Sequence, residues 1–317
     1  MTTFNSPQLY ADTTAAIGNP FQYLDALVLQ RLTEKFDMEM SGLVTYLGDL
    51  SGSGSDTGRI RNATGFGFAR RMASMATETS TVTASTWEAA YDSISIARKG
   101  LAFEQSWQRE LLQNDGIDIV ALANSIADSV IATLRYMVCQ QGATFSTNAF
   151  DDTAAVDMDD VINLRNLYEA TAGFTEGSVV NVVSFTQMKQ IKAAQRVEAA
   201  FKFPDSFNAQ QAIQAASGFK GSFLGMDWYT STDVVLNTDY YGFSYVKGAI
   251  GYAIANTQRL ARIAGPNALI VPQYGLIIDI ESESENATAR ATGNAWMGVT
   301  SLAATVAPQF LLRSNVS

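Results

Sequence analysis

The stretch from Gly116 to Gln141, GIDIVALANSIADSVIATLRYMVCQQ, constrains this chain more than any other. Its helical pattern is unbroken, and a helix of that length runs about 39 Å. Asn114 and Asp115 offer N-cap side chains, and Gly142 supplies a residue free to take a left-handed C-terminal conformation. Apolar residues fall on two faces. One carries Ile119, Leu122, Ile126, Val130 and Met137; the other carries Ile117, Val120, Ala127, Ile131, Leu134 and Val138. Asp118, Ser125, Asp128 and Arg135 mark a narrow polar stripe between them. A surface helix normally shows one apolar stripe, so two imply packing on two sides. The pattern predicts a spine laid across a sheet, with another element on top. A buried helix in any large α+β domain would look the same, so the spine alone leaves function open.

Composition removes several classes of function. The chain has 317 residues, enough for two domains, and is 47% hydrophobic, enough for a sizeable core. It has no histidine, which removes Ser-His-Asp and Cys-His catalysis and most zinc or iron sites. Net charge is −10 and the isoelectric point is near 4.5, which argues against binding by phosphate neutralisation. No Walker-type loop occurs, and Gly65-Phe-Gly67 is too short for a dinucleotide fingerprint. The first twelve residues lack a basic and an apolar signal region, and no apolar run reaches the roughly 18 residues of a membrane span. The lone Cys139, on an apolar face of the spine, reads as a buried core thiol.

Residues 1–18 read as a polar arm without its own core. Asn19-Pro20 starts a helix whose stripe is Leu24, Leu27, Val28, Leu32 and Phe36, ended by Ser41-Gly42. That stripe needs a surface, from this chain or a neighbour. Residues 49–100 open with the linker composition DLSGSGSDTG and become Thr- and Ser-rich. Alternation in Ser80–Ala84 and Asp92–Ala97 predicts two strands of a long, poorly buried hairpin. Its charge is inverted, with Arg59, Arg61, Arg70, Arg71, Arg98 and Lys99 against Asp56, Glu78, Glu88 and Asp92. An isolated hairpin is marginal in water, so this excursion is either disordered or supported by other subunits. A connection this long is usually functional or mobile, which favours support from other subunits.

Residues 101–142 read as helix, through GLAFEQSWQRELL into the spine. The acidic run Asp151, Asp152, Asp157, Asp159 and Asp160 fits no calcium loop. Asp157 as N-cap, with Asp159 and Asp160 in the first helical turn, accounts for most of it. Residues 159–265 alternate helix and strand. Helix 159–171 precedes a buried strand, Val179–Ser184, and helix 186–200. A short helix, Ala209–Ala216, then leads through GFKGSFLG into the strand MDWYTS. An aromatic strand (Tyr241, Phe243, Tyr245) follows, then Gly248-Ala-Ile-Gly251 and an apolar segment.

Tyr274–Asn286 holds the clearest period of two, with Leu276, Ile278 and Ile280 opposed to Asp279, Glu281, Glu283 and Glu285. A turn at Glu285-Asn286 would pair Ile280 with Ala291, Ile278 with Gly293 and Glu281 with Arg290. One face is then apolar with small residues, where a helix can lie close, and the other is charged. The acidic row reads as a solvated or partner-facing surface.

Taken in order, the parts are a polar arm, a strand-rich loop, a spine helix, a mixed insertion and a returning hairpin. This order resembles the major capsid proteins of tailed double-stranded DNA bacteriophages, the Hong-Kong-97-like fold. GFKGSFLGMDWYTSTDVV looks like that family's glycine turn, strand and Ser/Thr exit, and the hairpin followed by VAPQFLL looks like its terminal strands. The resemblance implies an α+β fold with an N-terminal arm and helix (1–48), an extended β-hairpin loop (49–100) and a peripheral domain with the spine helix (101–158). A mixed α/β axial domain (159–265), a peripheral β-hairpin (266–300) and a tail returning to the axial domain (301–317) complete it.

The same resemblance implies a structural coat subunit with no catalytic, cofactor or metal site. It would assemble with itself, as pentamers and hexamers, into an icosahedral shell around packaged DNA, without sequence-specific DNA binding or membrane contact. Portal, scaffolding and decoration proteins would be its neighbours in the virion, with assembly in the host cytoplasm. Candidate inter-subunit contacts join Arg59, Arg61, Arg70 and Arg71 of the loop to Asp279, Glu281 and Glu283 of a neighbour. No scaffolding segment fits before Pro20, which predicts a separate scaffolding protein or a mature form. The loop between Ser51 and Arg98 holds arginines and no lysine, so a non-covalent shell is expected. Encapsulin nanocompartment shells also resemble this fold, but with a helical N-terminal region. A carboxylate-based glycoside hydrolase would need paired acids in an aromatic cleft, and here the acids form one row.

Overall fold

The chain order is α1 (Pro20–Glu39), β1 (Thr45–Asp49), β2 (Thr57–Ala63), β3 (Ala89–Ser95), β4 (Ala97–Ser106), α2 (Ile119–Gly142), α3 (Met158–Glu169), β5 (Val179–Val183), α4 (Phe185–Val197), β6 (Phe219–Phe223), β7 (Met226–Thr230), β8 (Val235–Leu236), β9 (Asp239–Val246), β10 (Ile250–Ile254), β11 (Leu269–Val271), β12 (Leu276–Glu283), β13 (Thr288–Ser301) and β14 (Gln309–Asn315). The structure is a computed structural model. It describes residues 20–40, 42–49, 57–63, 89–106, 119–150, 154–170, 178–197, 219–255, 269–271, 274–283, 288–302 and 308–315.

Two sheets and a ribbon result. The first sheet runs β1-β10-β13-β12-β11, with β4 also on β13; the second runs β14-β9-β5-β7-β6, with β8 on β9. Strands β2 and β3 form a separate two-stranded ribbon. The long β13 organises the first sheet, pairing with β12 along Thr288–Ala295, with β10 along Met297–Ser301 and with β4 along Thr288–Met297. The β12–β13 register has Ile280 opposite Ala291, Ile278 opposite Gly293 and Glu281 opposite Arg290, as the alternation predicts. The expected turn at Glu285-Asn286 lies outside the described residues.

The spine is α2, and its two apolar faces have two covers. Ile126, Ala127, Ile131, Leu134 and Val138 are buried in one core with Leu276, Ile278, Ala295 and Met297 of the first sheet and Val180, Val182, Phe243 and Tyr245 of the second. A side-chain carbon placed on Gly293 would lie 3.8 Å from Ile126, so the small residues of β13 let the helix approach closely. Helix α1 supplies the second cover: Val28 and Leu32 are fully buried in the same core, and Lys35 pairs with Asp128 of α2. The surface that the α1 stripe needs is therefore this chain's own. Each such aliphatic side chain contributes about 1.5–3 kcal/mol when fully buried. A second core holds Val161, Leu164 and Tyr168 of α3 against Trp228 of β7 and Leu312 of β14.

Several sequence expectations are corrected. Ala97–Ser106 is a strand, where helix is expected from residue 101, because the edge of β13 offers it a continuous ladder with Leu101 opposite Gly293 and Phe103 opposite Ala291. Ribbon strand Ala89–Ser95 pairs with Thr57–Ala63, part of which reads as linker, and does not use Ser80–Ala84, which lies outside the described residues. The alternation Arg59, Ile60, Arg61 is as strand-like as the Thr-rich stretch, and local pattern does not choose between them. Strand β1 was not foreseen; it runs parallel to β10, with Thr45 opposite Gly251. Because β10 is hydrogen-bonded to β13, the chain crosses from the second sheet to the first at Gly248, ahead of residue 265. Gly142 has no left-handed conformation; its role is steric, since a Cβ there would overlap the Phe243 ring. The arm 1–18, the caps Asn114 and Asp115, and Ala209–Ala216 lie outside the described residues.

The acidic run begins α3 as expected. Asp160 N donates to the Asp157 carboxylate at 2.9 Å and Asp157 N donates to the Asp160 carboxylate at 3.1 Å, a reciprocal capping box. Asp157→Ala should cost about 1 kcal/mol. In a chain of this size that lowers the melting midpoint by about 2 °C, read by circular dichroism. An unchanged midpoint would count against the cap.

Candidate inter-subunit surface

Arg59 and Arg61 lie opposite Ser93 and Tyr91 in the ribbon, two residues apart and so on one ribbon face. Arg70 and Arg71 lie outside the described residues. Asp279, Glu281 and Glu283 step by two along β12, opposite Thr292, Arg290 and Thr288. Leu276 and Ile278 belong to the core under α2, so the acidic positions alternate onto the sheet's other face. Arg290 is also opposite Glu104 of β4, which gives a cross-strand row Glu104–Arg290–Glu281. Among the described residues no strand pairing joins the two candidate groups, because β2 pairs with β3 while β12 pairs with β11 and β13. Both rows repeat every two residues, about 6.8 Å, so the spacing of the arginines matches that of the acids.

The ribbon is held at its root. Ile94 and Ile96 are buried, and Thr300 Oγ1 donates to the Ser93 carbonyl at 3.2 Å. At Gly298 the Ser95 carbonyl lies where a Cβ would be, so only glycine lets β3 leave β13 at this point.

One charged group on this surface escaped the sequence reading as a contact. Arg98 is exposed, its guanidinium lies over the Trp296 ring at 5.8 Å, and its Nε donates to Asn294 Oδ1 at 2.9 Å. Gly100 makes room for this, since a Cβ there would come 2.9 Å from the same Asn294 oxygen. The available signal was the period-two stretch ARKGLAFEQS, which carries no helical stripe.

Among the described residues no three His, Cys, Asp or Glu side chains are grouped to hold a metal ion, and no helix is long and apolar enough to cross a membrane. The most perturbed groups are buried. Burial pushes the Cys139 thiol up to about 12, against the small opposing effect of its contact with Ser231 Oγ at 3.8 Å. Burial also raises the Tyr245 and Tyr168 hydroxyls. Tyr245 donates to the Leu43 carbonyl at 2.5 Å, and Tyr168 shares a hydrogen bond with Ser244 Oγ at 2.8 Å, so both fasten the scaffold. Because the folded thiol holds its proton above the unfolded value, its contribution is complete below about pH 8.5 and is lost as pH rises towards 12. Cys139 should accordingly resist a thiol-labelling reagent at pH 8 and react at once in denaturant. Immediate labelling of the native chain would contradict its burial.

No family model matches this chain, and no curated protein matches it. Solved structures do. The capsid of the cyanophage P-SCSP1u is similar at 13% identity, covering 88% of this chain and 89% of that chain with a TM-score of 0.53. The acid-stable capsid of Helicobacter pylori bacteriophage KHP30 is similar at 11% identity, covering 89% and 90% with a TM-score of 0.54. The capsid asymmetric unit of the cyanophage Pam1 is similar at 10% identity, covering 86% and 89% with a TM-score of 0.51. The chain therefore has the fold of phage capsid structures, the Hong-Kong-97-like α+β fold expected from the order of its parts.

Proposed function

We propose that this chain is the major capsid subunit of a tailed bacteriophage, assembling with itself as pentamers and hexamers into an icosahedral shell around packaged double-stranded DNA. The observation that carries this reading is the fold shared with phage capsid structures over 88–89% of the chain. The first sheet with α1 and α2 serves as the peripheral domain, the second sheet with α3 and α4 as the axial domain, and the ribbon as the extended loop. The subunit has a structural and not a catalytic role, and works in the virion beside portal, scaffolding and decoration proteins after assembly in the host cytoplasm. A net charge of −10 suits a wall along which DNA must slide, because a basic wall would hold it through counterion release. Electron microscopy of the purified, overexpressed chain tests the reading. Closed polyhedral particles are expected, and a monomer under all assembly conditions would overturn it.

Within the shell, Arg59, Arg61, Arg70 and Arg71 of one subunit's loop meet Asp279, Glu281 and Glu283 of a neighbour. Each exposed pair contributes only about 0–1 kcal/mol, so the effect comes from repetition over many interfaces. The double substitution Glu281→Lys and Glu283→Lys should lower shell yield, and more so at low salt where screening is weak. Unchanged yield and salt tolerance would remove this pairing.

A further inference from the structure

Strand β4 ends the first sheet on one side. Its inner edge pairs with β13 from Ala97 opposite Met297 to Ser106 opposite Thr288. Among the described residues, nothing bonds the outer edge of the stretch from Ala97 to Phe103. The stretch is exposed at every position except Leu101, which is half-buried. Proteins usually blunt such an edge with proline, a bulge or a covering element, because its free N–H and C=O groups template another strand. Here there is no proline and the register with β13 runs without a shift.

Each face of this edge carries a cation. Arg98, exposed, is held on one face by the Trp296 ring and, through its Nε, by Asn294. Lys99, on the other face, borders a cleft with Ser129 and Thr133 of α2. Among the described residues neither cation meets a carboxylate. Phe103, 38% exposed, adds an apolar contact on the same strand. A guanidinium held in place loses less freedom on binding than a mobile one, and a planar fork suits a carboxylate.

We propose that the outer edge of β4, Ala97 to Phe103, is a strand-addition surface that takes an extended acidic segment from a second copy of this chain. Main-chain hydrogen bonds would supply affinity, and Arg98 and Lys99 would select carboxylates on alternate faces. Charge complementarity points to a second copy, since the chain carries 31 Asp and Glu against 21 Lys and Arg. The identity of the partner rests on the capsid reading; the geometry of the β4 edge does not.

Hydrogen exchange on dispersed and on assembled full-length chain tests this. Outward amides between Ala97 and Phe103 should exchange fast when dispersed and about 100-fold more slowly when assembled. In a mixture of 14N and 15N chains, carbodiimide should join Lys99 to Asp or Glu in mixed-isotope pairs. Substituting Arg98→Glu with Lys99→Glu should lower the melting midpoint by only about 2 °C, through loss of the exposed Arg98 contacts with Trp296 and Asn294. It should weaken association about tenfold. Edge amides already slow in the dispersed chain, or cross-links confined to one isotope, would mean that the chain covers its own edge and would overturn the proposal. Slowing that requires added duplex DNA would overturn it in favour of a polyanion. Closed shells whose edge amides stay fast defeat this proposal alone; a chain that never associates defeats the capsid reading with it.

Discussion

A chain lacking residues 59–93, with Gly58 joined to Ile94 through an Asn-Gly turn, should fold and fail to close shells. Gly58 and Ile94 are opposite each other in the ribbon, so a two-residue turn spans them without moving either strand. The buried Ile94 and Ile96 remain in place, and so does the close passage of Ser95 over Gly298. Of the described contacts at the root, only the hydrogen bond from Thr300 to Ser93 is lost, about 1 kcal/mol, so the melting midpoint should move by about 2 °C. Assembly should change completely. A two-stranded ribbon is marginal by itself and gains stability from other surfaces, which the proposed function assigns to neighbouring subunits. Native-like circular dichroism with no closed particles in micrographs is the expected result. Closed shells at the yield of the full chain would show that the ribbon is not an assembly element.

Gly142→Val should be among the most damaging single changes in the body of the chain. Gly142 ends the spine helix, and a Cβ there would overlap the ring carbons of Phe243. That ring cannot yield easily. It is fully buried, meets Phe145 edge-on at 6.0 Å and stacks on Tyr245 at 5.8 Å, while Tyr245 is itself fixed by its bond to Leu43. Overpacking of this kind costs about 3 kcal/mol, which corresponds to a melting midpoint lower by about 6 °C. Gly142→Ala should cost less, and Phe243→Leu in that background should restore part of the loss, because the smaller side chain vacates the contested space. A double-mutant cycle without coupling would refute the steric account. So would a Gly142→Val protein that melts with the wild type.

These two positions mark how far the sequence could be read. The spine helix, the capping box at Asp157 and the β12–β13 register were legible because each depends on residues close together in the chain. A periodicity of 3.6 or 2 states which face is apolar, and a capping side chain acts within three residues of its own backbone. Gly142 illustrates the limit. A glycine at a helix end suggests a left-handed cap, and nothing local announces that an aromatic ring from residue 243 fills the space.

The candidate surface divides in the same way. The acidic step along β12 and the arginine step along β2 are visible as spacing, whereas their faces depend on the partner strands. The stretch from Ala97 to Ser106 shows why. Its composition tolerates helix or strand, and the open edge of β13, nearly two hundred residues away, makes it a strand. The same ladder places Arg98 against Trp296 and Asn294, a contact that no window of sequence contains. Sequence by itself determined the elements whose hydrogen bonds close locally, the apolar faces they must bury, and the absence of histidine chemistry. Tertiary structure alone decided which strand edges meet, where the chain crosses between sheets and which glycines are steric, because each is settled by a group from a distant part of the chain competing for the same edge or volume.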